Sequence, residues 1–172
     1  IQLDLLLKPS GKADWHSYSG FPDVGVTLLH MRLSYAELGE AYGAIPYLSL
    51  LDIKRGKFTF EASGGMGLAY LNNPWNRTEN RKNEMIGSHL NLAVTLQTNI
   101  SYAITKRWLL MGGLAFTHFS NAGTQKPNLG VNIPSSFVGI RFSGQETPEY
   151  SEQQKITLVE QRRELILLAS GF

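Results

Sequence analysis

Apolar and polar residues alternate strictly along several stretches of this chain, and the longest run is the clearest. Leu90, Leu92, Val94, Leu96, Ile100, Tyr102 and Ile104 share one parity, broken only by Thr98. Asn91, Ala93, Thr95, Gln97, Asn99, Ser101, Ala103 and Thr105 share the other. A period of two belongs to a strand, whose successive side chains point to opposite faces. Strands of soluble domains usually stop near about 5 or 6 residues, whereas a tilted strand crossing a bilayer needs roughly 9 to 11. The run therefore predicts a membrane strand. Phe58, Phe60, Ala62, Met66, Leu68 and Tyr70 repeat the pattern against Thr59, Glu61, Ser63, Gly65, Gly67 and Ala69. This second set is polar or small, as a narrow barrel interior requires.

Other segments extend the series. Leu110, Leu114, Phe116, His118 and Ser120 share a face, with Gly113, Ala115 and Thr117 on the other. Ser136, Val138, Ile140 and Phe142 alternate with Phe137, Gly139, Arg141 and Ser143, and Ile1, Leu3, Leu5 and Leu7 alternate with Gln2, Asp4 and Lys8 apart from Leu6. Val24 to Leu33 and Ala44 to Leu51 are strand-like but apolar on both faces, and Pro46 there demands an edge, a bulge or a strand start. The connections at 52–57 and 105–107 are tight and charged, while 72–87 and 121–134 are longer, polar and rich in Asn, Pro and Gly. Short turns at one end and long loops at the other are the layout of an outer-membrane barrel. Tyr70, Trp75, Tyr102, Trp108 and Phe119 fall near strand ends, where an aromatic girdle sits.

The predicted fold is all-β, an antiparallel up-and-down outer-membrane β-barrel of about eight strands. Its domain covers residues 1–143, followed at 144–172 by a polar linker with Pro148 and a tail of uncertain structure. The pattern yields about seven strands, and barrels of this kind have an even number. One strand either escapes the pattern or lies outside this chain. The tail carries Leu158, Val159, Leu165, Ile166, Leu167 and Leu168 without clean periodicity, and reads as an extension beyond the barrel.

Composition narrows the class further. Charged residues make up 17%, below the roughly 25% of soluble domains, and no run of about 18 apolar residues offers a membrane helix. A net charge of +2, with no basic run interleaved with aromatics, excludes a nucleic-acid partner. With no cysteine, thiolate metal sites, disulfides and cysteine nucleophiles are all ruled out. His16, His30 and His89 share no metal-ligand spacing and read as polar groups at loops or strand ends. Glu61 and Arg141 fall on the predicted lumen side, placed for a buried ion pair in a packed interior. Gly64, Gly65 and Gly67 precede no basic residue or helix and suit strand curvature rather than a phosphate loop.

The segment His118-Phe119-Ser120-Asn121-Ala122-Gly123 carries the candidate chemistry. Two residues apart on a strand, His118 and Ser120 share a face, which sets a potential base beside a potential hydroxyl nucleophile. In a membrane barrel that face is the lipid side. Asn121-Ala122-Gly123 suits a turn that aims N–H groups at Ser120, and hairpin closure brings Asn132 beside His118 if their strands are neighbours. On spacing alone, a His-x-Ser pair on a strand is more often a solvated pair at the barrel rim.

Beyond spacing, His118-Phe119-Ser120-Asn121-Ala122-Gly123, Gln125-Lys126-Pro127-Asn128 and Gly130 resemble the signature of PagL-type lipid A 3-O-deacylases of the acyloxyacyl hydrolase group. Trp15-His16, Gly20-Phe21-Pro22 with Gly25, and Ile86-Gly87-Ser88-His89-Leu90-Asn91 are similar to the Bacteroidetes-type variant. The likeness spans roughly residues 1 to 143 and leaves out the tail. Sequence preceding Ile1 in that variant would supply a missing strand. The resemblance implies an eight-stranded barrel in the bacterial outer membrane that hydrolyses acyl esters of lipid A, with lipopolysaccharide as substrate and membrane lipid as surroundings. It implies His118 as base, Ser120 as nucleophile, and Asn121 with Gly123 as oxyanion donors, with no metal or other cofactor. The family's catalytic acid, a glutamate, falls at the position of Asn132. Asparagine can orient a histidine but cannot offset an imidazolium charge, and the equivalent change in a serine protease costs about 10⁴ in turnover. Glu146, the nearest later acid, is expected at the opposite barrel end. A non-catalytic barrel with a structural or lipid-binding role is the alternative, and a soluble lipocalin-like binder is a third.

Overall fold

Eight antiparallel strands close into a barrel in simple chain order in the computed structural model, which describes residues 1–7, 22–144 and the backbone of 163–171. They are β1 (Gln2–Leu7), β2 (Val24–Arg32), β3 (Glu40–Arg55), β4 (Phe58–Leu71), β5 (Leu90–Ala103), β6 (Trp108–Ser120), β7 (Val131–Ser143) and β8 (Arg163–Gly171). Closure comes from β8, which pairs with β1 on one side and β7 on the other. The eighth strand thus arises in the segment whose sequence reads as a tail beyond the barrel. Its run Leu165-Ile166-Leu167-Leu168 is apolar at both parities, so alternation does not reveal it.

The outward face is a continuous apolar wall. Leu68, Leu90, Leu96, Ile100, Leu110, Leu114 and Val138 each expose half or more of their surface, an arrangement that water does not tolerate and a bilayer requires. No helix among the described residues is long and apolar enough to cross a membrane. Tyr70, Tyr102 and Trp108 face outward near the strand ends, as a girdle does. Phe119 does not. Its odd position in β6 puts it on the lumen side with Thr117, and it is fully buried. Trp75 belongs to a loop rather than to the wall.

The interior divides into two halves. Toward the end bearing loops 33–39, 72–89 and 121–130, Leu29, Met31, Ala41, Ile45, Leu71, Ala93 and Phe119 form an apolar core. Ile86, from loop 72–89, is wholly buried in the same cluster and stops the mouth. Toward the other end the lumen is mixed, with a smaller apolar cluster of Leu6, Met111 and Phe137 beside buried polar pairs. Arg141 donates two hydrogen bonds to Glu61, at 2.7 and 2.8 Å, and Asp4 accepts from Thr27 at 2.6 Å and from Gln2 at 3.0 Å. Side chains fill the cylinder, so it is a packed barrel and not a pore.

β3 explains why its segment looks apolar on both faces. A bulge between Ser49 and Leu51 adds one residue, so Leu50 and Leu51 both face outward and the parity inverts beyond them. Pro46 lies opposite Val26 of β2, where pairing of β3 with β4 lapses between Ala44 and Tyr47. A side chain on Gly67 would collide with the Ala44 carbonyl, so this glycine admits close approach of the β3 backbone. The connections at 56–57 and 104–107 are tight, as expected, but 8–23 and 144–162 at the same end are long. Trp15, His16, Glu146 and Pro148 lie outside the described residues.

Candidate active site

The site stands at the loop end of the β6–β7 hairpin, on the outward face of the wall. Even-numbered residues of β6 point outward, from Leu110 through Leu114 and Phe116 to His118 and Ser120. The strand β7 begins at Val131, earlier than the polar composition of 121–134 suggests, so Asn132 is a strand residue. Register places it directly opposite His118. Directly opposed side chains lie about 5 Å apart at Cβ. Here the contact closes to a hydrogen bond of 2.7 Å between His118 Nδ1 and Asn132 Oδ1. An amide oxygen only accepts, so Nδ1 is the donor, and in the neutral ring Nε2 is then left with its lone pair. Asn132 therefore selects the tautomer that a general base needs.

Gly130 backs the ring. A Cβ there would lie 2.9 Å from His118 Cε1, and its φ of +77° is one that other residues rarely adopt. The imidazole is thus held between a strand neighbour and a bare stretch of backbone.

Ser120 ends β6, and the chain turns sharply after it. Ala122 (φ +55°) and Gly123 (φ +78°) are both left-handed, which for alanine costs on the order of 1–2 kcal/mol. That turn sends the Ala122 N–H back to Ser120 Oγ at 3.2 Å. Asn128 Nδ2 donates to the same oxygen at 3.1 Å, while Asn128 Oδ1 accepts from the Asn121 N–H at 3.1 Å. Two donors therefore converge on the serine oxygen. His118 and Ser120 share the outward face, but no hydrogen bond joins them; the hydroxyl is engaged by Asn128 and Ala122.

The sequence expectation for Asn121 and Gly123 meets a different arrangement. Asn121 is buried, and its Nδ2 donates to Gln125 O at 2.7 Å and Ser88 Oγ at 3.1 Å. Its Oδ1 accepts the Gly123 N–H at 2.9 Å. Both groups are spent on holding the loop, because a turn this tight must satisfy its own buried polar atoms. Asn128, whose amide donates to Ser120 Oγ, is not among the candidates read from the sequence. It stands eight positions beyond Ser120, across a loop whose path no spacing rule foretells, although Pro127-Asn128 is part of the recognised signature.

Loops 72–89 and 121–130 brace each other. Gly130 N–H donates to Met85 O at 3.0 Å, and a Cβ on Gly87 would lie 2.6 Å from the Pro127 carbonyl oxygen. Asn83, almost fully buried, donates to Asn73 O at 2.8 Å and accepts from the Met85 and Ile86 N–H groups, both at 3.1 Å. The segment Ile86-Gly87-Ser88-His89 is therefore structural: a plug, a close approach, a hydroxyl clamp and a ring. His89 Nδ1 contacts Leu71 O at 2.8 Å and its ring stacks on Tyr70, with centroids 5.1 Å apart. His30 likewise stacks on Tyr42 and meets Glu40 at 3.3 Å. Both fit the strand-end role read from the sequence.

A family model described as lipid A 3-O-deacylase (PagL) matches residues 2–141 of the chain. No curated protein and no solved structure matches it.

Proposed function

The chain belongs to the lipid A 3-O-deacylase (PagL) family, and from that premise we propose that it is an outer-membrane serine esterase removing acyl chains from lipid A. The observation that carries this reading is the His118–Asn132 hydrogen bond beside Ser120 on the lipid-facing wall. An acylated lipid reaches this face by lateral diffusion in the bilayer, with its ester near the polar boundary where Ser120 ends its strand.

In the proposed reaction Ser120 Oγ turns from Asn128 toward His118 and attacks the ester carbonyl. His118 Nε2 takes the hydroxyl proton as the carbon–oxygen bond forms. Catalytic hydrogen bonds are often loose before substrate binds, which accommodates the missing His118–Ser120 contact. The oxyanion then receives the Ala122 N–H and the Asn128 amide, the two donors that converge at Ser120. His118 returns the proton to the departing sugar alcohol, and water hydrolyses the acyl-serine by the reverse path. Asn132 keeps the base oriented but leaves the imidazolium uncompensated, so turnover is slow.

Mass spectrometry of lipid A from cells expressing the protein tests this reading against a Ser120→Ala control. Loss of an acyl chain only with the unaltered serine supports it; identical acylation in both defeats it. A second reading, a barrel that keeps the fold without hydrolysis, is favoured by the same Asn132. The Asn132→Glu variant separates the two, because a gain in hydrolysis indicates an impaired enzyme.

A further inference from the structure

A cavity of about 680 Å³ opens among the loops next to Ser120, outside the groups that the proposed hydrolysis uses except where it meets Asn128. Its size lies within the range of small-molecule sites. Trp75, Arg81, Glu84, Lys126, Asn128 and Leu129 contribute to its lining. Asn128 is the hinge of the argument, since it lines the cavity and also donates to Ser120 Oγ at 3.1 Å. Anything seated there touches the reacting ester's neighbourhood from the aqueous side.

The lining has a definite chemistry. Arg81 and Lys126 are exposed and have neither an ion pair nor a side-chain hydrogen bond among the described residues. Arg32, at the same end of the barrel, is instead paired with Glu40 at 3.4 Å. Two uncommitted cations on facing loops suit a phosphate, which carries about −1.5 to −2 charges and several acceptor oxygens. Glu84 supplies a carboxylate that accepts from sugar hydroxyls, and Trp75 and Leu129 supply apolar walls. The cavity is also built rather than incidental, because Met85–Gly130, Asn121–Ser88 and the Gly87–Pro127 approach bind the two loops together around it.

We infer that this cavity receives the phosphorylated sugar headgroup of the lipid whose ester lies at Ser120. The inference rests on the hydrolase reading for the lipid's position, and it adds what selects the substrate. The apolar wall takes the acyl chains and carries no preference between headgroups. Arg81 and Lys126 supply that preference.

The test uses the full chain carrying Ser120→Ala, in detergent micelles, so that binding is read without turnover. It is titrated with phosphorylated lipid A and with the same lipid after removal of its phosphates. The expected result is about tenfold tighter binding of the phosphorylated form at low salt, a preference that shrinks as salt rises. Arg81→Ala with Lys126→Ala removes the preference, and Lys126→Glu reverses part of it, while binding of the dephosphorylated lipid stays within about twofold. Equal affinity for the two lipids, or a preference that survives the double substitution, overturns the inference. Displacement of the phosphorylated lipid by an equal concentration of inorganic phosphate also overturns it, because the cavity would then be a free-phosphate site. The acylation pattern in cells tests hydrolysis separately, so either claim can fail alone.

Discussion

In the proposed hydrolysis, Asn132 is the one side chain on which the chemistry turns. Its oxygen accepts from His118 at 2.7 Å and fixes the tautomer, yet it brings no charge to meet an imidazolium. Asn132→Glu is expected to raise hydrolysis of lipid A at least tenfold, checked by acyl release from purified protein, given the cost of the reverse change elsewhere. Asn128→Ala removes one of two donors at Ser120 and is expected to lower kcat by about 10² to 10³ while altering KM much less. The residue scale also shows what was legible. His118 and Ser120 share a face because parity is local and needs no tertiary knowledge. Asn128 reaches Ser120 only through the path of its loop, so the sequence pointed to Asn121 and Gly123 as donors when those groups hold the turn.

Strands and loops differ in how openly the chain announces them. β4, β5 and β6 are readable because one face is outward and apolar and the other lines a narrow lumen, which forces alternation. β3 hides its parity behind the bulge at Ser49–Leu51, and β8 hides in a run apolar at both parities. The loops carry the precision of the site, and Gly87 is their narrowest point. A Cβ there meets backbone, the Pro127 and Gln125 carbonyl oxygens at 2.6 and 2.9 Å, so something must move. Gly87→Val is expected to displace segment 121–130, making it sensitive to limited proteolysis and suppressing hydrolysis. The barrel itself should persist, seen as unchanged heat-dependent migration on a gel, because the strands are untouched.

At the scale of the whole molecule, the barrel is held by an apolar core beneath the loops and, at the other end, by a smaller apolar cluster beside a buried ion pair. Glu61 and Arg141 face each other across the lumen, both nearly buried, with two hydrogen bonds between them. Removing one partner strands a buried charge. Arg141→Met alone is therefore expected to cost about 3–5 kcal/mol, and adding Glu61→Leu to recover most of it. Urea unfolding of the barrel in detergent measures both. Recovery no better than the single variant would show that the pair's bidentate geometry, rather than avoidance of an unpaired charge, governs that half of the lumen.

Alternation along the chain was enough to establish an all-β barrel, the outward side of most strands, and a histidine and a serine on that side. Those properties depend on neighbours two residues away. Closure through Arg163–Gly171, the placing of Asn132 opposite His118, the Ile86 plug and the arrival of Asn128 at Ser120 were decided only by the tertiary structure. Each depends on strand register or on a loop's route through space, and register is set by all the strands together rather than by any one of them.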